Sequence, residues 1–329
     1  MTDNAISKLE SLPNEILLET LQLENSHNLI LTWYNLNTRL NSLIEQLHSI
    51  DLSSISYAYF LSYCSLLINR QHQVSSLKLS NVDSSEQISL FLSKFPLQNF
   101  HHLRSLSLIE VKQVEINEVI LNLPSLNHLL YLLIDCHTTY YEEVLLNDIT
   151  STSLRSLTLK STNAIHYNWS NVGRLCPNLE SLNVNFFIYV DQLVQLLSSV
   201  PNSLKKLSIA LRGDNNYSNI KPFNDLSLLN INTKIENLYI SLGPDVSFSD
   251  FKLLIKQFKH LKKLSTEMSL PWNIRNTESS LNGYEWVQII SEHLPNLHTF
   301  SLRVETYKEH WNDQVSHSFN TDFWVKHRW

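Results

Sequence analysis

Glycine is nearly missing from this chain. Its 329 residues include only Gly173, Gly213, Gly243 and Gly283. They stand singly, so no glycine-rich loop can cradle a phosphate, and dinucleotide-fold and P-loop chemistry lack their usual backbone. Cysteine is as sparse. Cys64, Cys136 and Cys176 are odd in number and widely spaced, which excludes a disulfide framework and points to a reducing compartment. A zinc-holding RING-type domain needs many closely spaced Cys and His ligands, which these cannot supply. Long apolar runs are lacking too. The longest, around Leu129–Ile134, is far short of the roughly 20 residues of a membrane span.

Basic charge is in deficit, with a net charge of −6, so there is no overall footprint for nucleic acid. Met1-Thr2-Asp3-Asn4 has neither the basic start nor the apolar region of a secretory signal. The sequons Asn168-Trp169-Ser170 and Asn216-Tyr217-Ser218 therefore read as chance, and the expected location is cytoplasmic or nuclear.

Catalytic arrangements are equally thin. His101-His102 is the tightest histidine pair, but it lies outside any H-E-x-x-H or other ligand frame. Cys176 precedes Pro177 without a base beside it, as a buried structural thiol would. Glu142-Glu143 reads as the acidic first turn of a helix. No G-x-S-x-G elbow occurs. The expectation is a chain with no catalytic residues, no metal and no cofactor.

What is present begins at Leu12-Pro13-Asn14-Glu15-Ile16-Leu17. Pro13 suits the first turn of a helix, and Glu15 complements its dipole. Ile16, Leu17 and Leu21 recur at helical spacing. Leu29, Ile30, Trp33 and Leu36 make a second stripe, and Leu40, Leu43, Ile44 and Leu47 a third. Three short helices follow from this, too few to bury all their apolar surface alone. One reading is a helical cap on whatever follows.

The segment from Leu12-Pro13-Asn14-Glu15-Ile16-Leu17 to Trp33-Tyr34-Asn35-Leu36-Asn37-Thr38-Arg39-Leu40-Asn41-Ser42-Leu43 resembles an F-box. The resemblance implies docking to the Skp-type adaptor of cullin–RING ubiquitin ligases. By position it assigns Leu12, Pro13, Ile16, Leu17, Leu21, Leu29 and Trp33 as adaptor-facing. Thr20 and Glu24 stand where that family more often has apolar residues.

From Leu47 onward an apolar-x-x-apolar-x-apolar pattern repeats. Its copies start at Leu47, Val74, Leu103, Leu129, Leu154, Leu179, Leu204, Ile235, Leu261 and Leu297. Helical stretches intervene, such as Val190–Val200, Phe251–Phe258 and Tyr284–Leu294. Several end at a proline turn before the next strand, as at Pro124, Pro177, Pro201 and Pro295. One strand and one helix per copy is the spacing of a solenoid. The array resembles a leucine-rich-repeat domain of about ten degenerate repeats, a type often paired with F-boxes. The usual turn asparagines of that family are absent, with Val82, Val111, His137, Thr162 and Phe187 at their positions.

The expected fold class is thus α/β, with a helical module over 1–46, a repeat array over 47–304 and an aromatic segment over 305–329. Tyr307, Trp311, Phe319, Phe323, Trp324 and Trp329 make that last segment a cap over the final repeat, or a tail cut short.

The second, third and fifth positions of each copy point away from the core, onto the concave face. In the second to tenth copies these positions hold Lys78, Arg104, Arg155, Lys205, Lys206, Lys262 and Lys263, against only Glu180 and Glu236. Tyr131 and Tyr239 add aromatic anchors. Two readings stand: a merely solvated strand face, or a surface for an acidic or phosphorylated protein segment. The resemblance implies a substrate-recognition subunit of an SCF-type ubiquitin ligase, partnered by a Skp-type adaptor, a cullin and a protein substrate. Its rival is a plain repeat scaffold whose F-box-like segment only caps the array.

Overall fold

The computed structural model describes residues 11–23, 29–33, 36–44, 46–67, 70–136, 149–161, 169–213, 234–269, 282–305 and 317–327. Glu24, His137, Glu142, Glu143, Thr162, Tyr307, Trp311, Trp329 and both sequon asparagines lie outside them. By internal contacts the chain divides into two compact units, Met1–His137 and Thr138–Trp329. Both are α/β, built of parallel strands with helices between them.

The first unit opens with helix α1 (Asn14–Leu23), a π-helical turn (Leu29–Trp33) and helix α2 (Thr38–Ile44). The Pro13 carbonyl accepts the first bond of α1, from Leu17 N at 3.1 Å. Pro13 therefore stands just before the first turn rather than within it, where its missing N–H also leaves no orphan. Leu17, Leu21, Leu29, Leu40, Leu43, Ile44 and Leu47 bury against one another, with Leu12, Leu18 and Trp33 packed on the outside. Asn37 Oδ1 caps α2 by accepting from Leu40 N at 2.8 Å. Arg39 ties α2 back to the start of α1, donating to Leu12 O at 2.6 Å and Asn14 Oδ1 at 2.8 Å.

Leu47 closes this small core and is followed at once by strand β1 (Ser49–Asp51). Then come α3 (Tyr57–Leu67), β2 (Ser76–Ser80), α4 (Gln87–Lys94), β3 (Ser105–Val111), α5 (Gln113–Asn122) and β4 (Tyr131–Cys136). Each strand pairs in parallel with the next, and the register sets Ile50, Leu77, Leu106 and Leu132 in one line. All four are buried. The sequence pattern is therefore the register: its central apolar position forms a row across the sheet.

The turns after the strands hold a polar network. Asn81 and Glu115 are both buried. Asn81 Oδ1 accepts from Ile88 N at 3.0 Å, at the start of α4, and its amide donates to Glu115 Oε2 at 2.8 Å. Glu115 also accepts from Ser89 Oγ at 2.6 Å and Lys112 N at 2.8 Å. The same Asn81 amide reaches the carbonyl of Glu110, whose φ of 53° is a left-handed kink in β3. An asparagine thus serves this turn after all. It sits one place ahead of Val82.

The second unit contains β5 (Ser156–Ser161), α6 (Val172–Leu175), β6 (Ser181–Tyr189), α7 (Val190–Ser199), β7 (Lys206–Arg212) and β8 (Asn237–Leu242). It continues through α8 (Phe248–Ile255), β9 (Lys263–Ser269), α9 (Gly283–His293), β10 (Thr299–Glu305) and α10 (Asp322–His327). Again consecutive strands pair in parallel. Leu157, Leu182, Leu207, Leu238, Leu264 and Phe300 line up across them. Helix α8 starts three residues before the expected Phe251, because Ser247 caps it by accepting from Asp250 N at 3.1 Å.

Past β10, Trp324 of α10 covers Phe300 at 5.7 Å between ring centroids, with Phe319 and Phe323 against it. Phe300 in turn meets Trp286 of α9. This close seating requires glycine at the start of α9. A Cβ on Gly283 would collide with the Ser318 carbonyl, while the Gly283 N–H donates to Ser318 Oγ at 2.8 Å.

Candidate functional site

Parallel sheets are ordinarily covered on both faces. In each unit here, one face carries the leucine rows, and the other carries Ser, Asn, Thr, Lys and Tyr at the alternate positions. Those side chains are exposed or half-buried. Period-two alternation fixes this: whatever follows a buried leucine must face the opposite side.

In the first unit, Lys78 on β2 is paired to Asp51 on β1 at 3.0 Å. Burial opposes ionisation of Asp51, but the Ser53 hydroxyl and amide and the Lys78 ammonium outweigh it and hold its pKa below the ordinary value. Arg104 is exposed, and no described carboxylate lies within ion-pair distance of it. Tyr131 is 53% exposed.

The second unit carries a charge row just ahead of its strands. Arg155, Glu180, Lys205, Glu236 and Lys262 alternate in sign from β5 to β9. Glu180 is bonded to Arg155 on one side and paired with Lys205 at 3.5 Å on the other. Glu236 pairs with Lys262 at 2.8 Å. The Arg155 guanidinium, aided by Lys205, keeps the Glu180 carboxyl below the usual range, and Lys262 does the same for Glu236. Most of the predicted basic surplus in this row is thus spent on neighbouring strands.

Beside that row lies a shallow groove of about 400 Å³. Two rows line it in register. The first runs Ser181, Lys206, Asn237, Lys263, Thr299. The second runs Asn183, Ser208, Tyr239, Ser265, Ser301. Small side chains dominate both rows, with the longer Lys206, Lys263 and Tyr239 set among them. Tyr239 Oη donates to Glu267 Oε2 at 2.5 Å, which pushes the phenol pKa up to about 12. Arg303 pairs with Glu267 at 3.4 Å and with Glu305 at 3.1 Å.

The structure therefore sorts the predicted face. Lys78, Arg155, Lys205 and Lys262 are ion-paired; Lys206, Lys263 and Tyr239 line one groove. The amide and hydroxyl floor was missed by attention to charge. Its signal was available as the small polar residue at the fifth position of successive pattern copies.

The residues expected to face an adaptor are sorted likewise. Leu17, Leu21 and Leu29 are 2%, 1% and 4% exposed within the helical core. Leu12 and Trp33 are half-buried at its edge, Pro13 is exposed and Ile16 is 46% exposed. Leu36 adds a further exposed apolar side chain.

All three cysteines are buried. Burial pushes the thiols of Cys64 and Cys136 up to about 12, and that of Cys176 up to about 11. Cys176 Sγ donates to the Ile149 carbonyl at 3.4 Å. Such thiols are unreactive at neutral pH. Among the described residues no cluster of His, Cys, Asp and Glu could hold a metal ion, and no helix is long and apolar enough to cross a membrane. No protein-family model matches the chain, and no curated protein matches it significantly.

Proposed function

We propose that the chain is a substrate-recruiting subunit of an SCF-type ubiquitin ligase. In this reading residues 12–47 dock a Skp-type adaptor, and through it a cullin, while the open strand faces hold a protein substrate. One observation carries the docking half: the N-terminal helices possess their own leucine core yet leave Pro13 and Ile16 exposed and Leu12 and Trp33 half-buried at its edge. The leucine rows in strand register, with helical segments such as α4 between β2 and β3 and α7 between β6 and β7, support a leucine-rich-repeat reading of the remainder. The chain would contribute no chemistry of its own. Its effect would be proximity, bringing the substrate to an enzyme carried elsewhere in the assembly.

Leu17, Leu21 and Leu29 are poor probes of docking, since truncating a buried leucine costs roughly 2–5 kcal/mol of stability. Pro13→Ala with Ile16→Asp alters only exposed positions. The expected outcome is co-purification of the wild-type chain with a Skp-type adaptor and a cullin, and a loss on the order of tenfold or more in the double variant. Circular dichroism should show the helices intact. A wild-type chain that captures no adaptor overturns the proposal. The scaffold reading would then stand, favoured by Leu47, which belongs to the helical core and leads directly into β1.

A further inference from the structure

The groove over β6–β10 offers two unspent cations and an unspent polar floor. Lys206 and Lys263 are exposed, and neither has a described carboxylate within ion-pair distance. They occupy the same row on β7 and β9, with Asn237 of β8 between them. Their Cα atoms are two strand spacings apart, roughly 9–10 Å, so both ammonium groups can reach one oxyanion above Asn237. Among the described residues, none offers a side-chain hydrogen bond to Asn183, Ser208, Asn237, Ser265 or Ser301. The carboxylates nearby are engaged: Glu236 by Lys262, Glu267 by Tyr239 and Arg303.

We propose that this groove binds an extended peptide through one phosphorylated side chain, held between Lys206 and Lys263 and by the Asn237 amide. A phosphomonoester carries about −1.5 to −2 charge near pH 7 and three acceptor oxygens, matching two ammonium donors and one amide. A glutamate carboxylate brings one charge and leaves one lysine unmatched. The flanking peptide main chain takes its hydrogen bonds from the Ser208, Ser265 and Ser301 hydroxyls and packs on Tyr239, which stands between Ser208 and Ser265 in the same row. Lys205 and Lys262 take no part, because Glu180 and Glu236 already hold them.

This narrows the substrate-holding face proposed above to one groove and one ligand chemistry, and its test needs no adaptor. The full chain is titrated against degenerate peptide libraries with phosphoserine, serine or glutamate at a fixed centre, and against a single-stranded oligonucleotide. The phosphoserine library should bind at least on the order of tenfold more tightly than either peptide control. Lys206→Glu and Lys263→Glu should each remove that preference, while Lys205→Glu and Lys262→Glu change it less than about threefold, with folding confirmed by circular dichroism. No phosphoserine preference, equal binding of the glutamate library, or binding of the oligonucleotide instead each overturns the proposal. So does an equal loss in all four variants. Adaptor capture without phosphopeptide binding defeats only this inference; the reverse result defeats only the ligase reading.

Discussion

Thr266 holds a leucine's place in the buried row of β9 and is 1% exposed. Its hydroxyl has no hydrogen-bond partner. A buried hydroxyl left unpaired forfeits its hydration without compensation. Thr266→Val keeps the shape and removes that penalty, so it should stabilise the chain by about 1 kcal/mol, read as a raised urea midpoint with an unchanged slope. An equal or lower midpoint would mean the hydroxyl is satisfied in solution. Thr266 also marks what was legible at this scale. As the polar residue at the sixth position of its pattern copy it was visible in the sequence; that it is fully buried was not, because burial depends on the neighbouring strands.

Between elements, Asn81 and Glu115 connect the turn after β2 to the starts of α4 and α5. Asn81→Ala would strand the Ile88 N–H and take one donor from a buried carboxylate. The expected loss is about 2–3 kcal/mol in chemical denaturation. Asn81→Asp is isosteric, yet it should cost more, since it sets a second carboxylate against Glu115. If aspartate proves milder than alanine, the described pairing is wrong. The strands were legible from the sequence because apolar spacing encodes register directly. This network was not, since Asn81 lies off the expected position and Glu115 meets it only once two helices pack. The groove floor was half legible: Asn183, Ser208 and Ser265 recur at the fifth position of their pattern copies, but they become a surface only when the strands align.

For the whole molecule, proton linkage sets a window of stability. Asp51, Glu180 and Glu236 all have folded pKa values below their ordinary ones. Their contribution is full above the unfolded carboxylate range, about 4, and fades as pH falls through the lowered folded values. The Tyr239–Glu267 bond behaves oppositely: it is present below the ordinary tyrosine value and is lost as pH rises through about 12. The melting temperature should therefore hold between about pH 5 and 8 and fall below about 4. The acid decline should be smaller in Glu180→Gln with Glu236→Gln, which lack two of the linked groups. Identical acid profiles for variant and wild type would refute the linkage.

The alternating charges of Arg155, Glu180, Lys205, Glu236 and Lys262 also constrain how the second unit could lengthen or shorten. Excising β8 with one of its connections would set Lys205 beside Lys262, like against like, which neighbouring strands tolerate poorly. Excising two successive strands with their connections would restore opposite neighbours. The row therefore has a parity, and growth or loss in even steps preserves it.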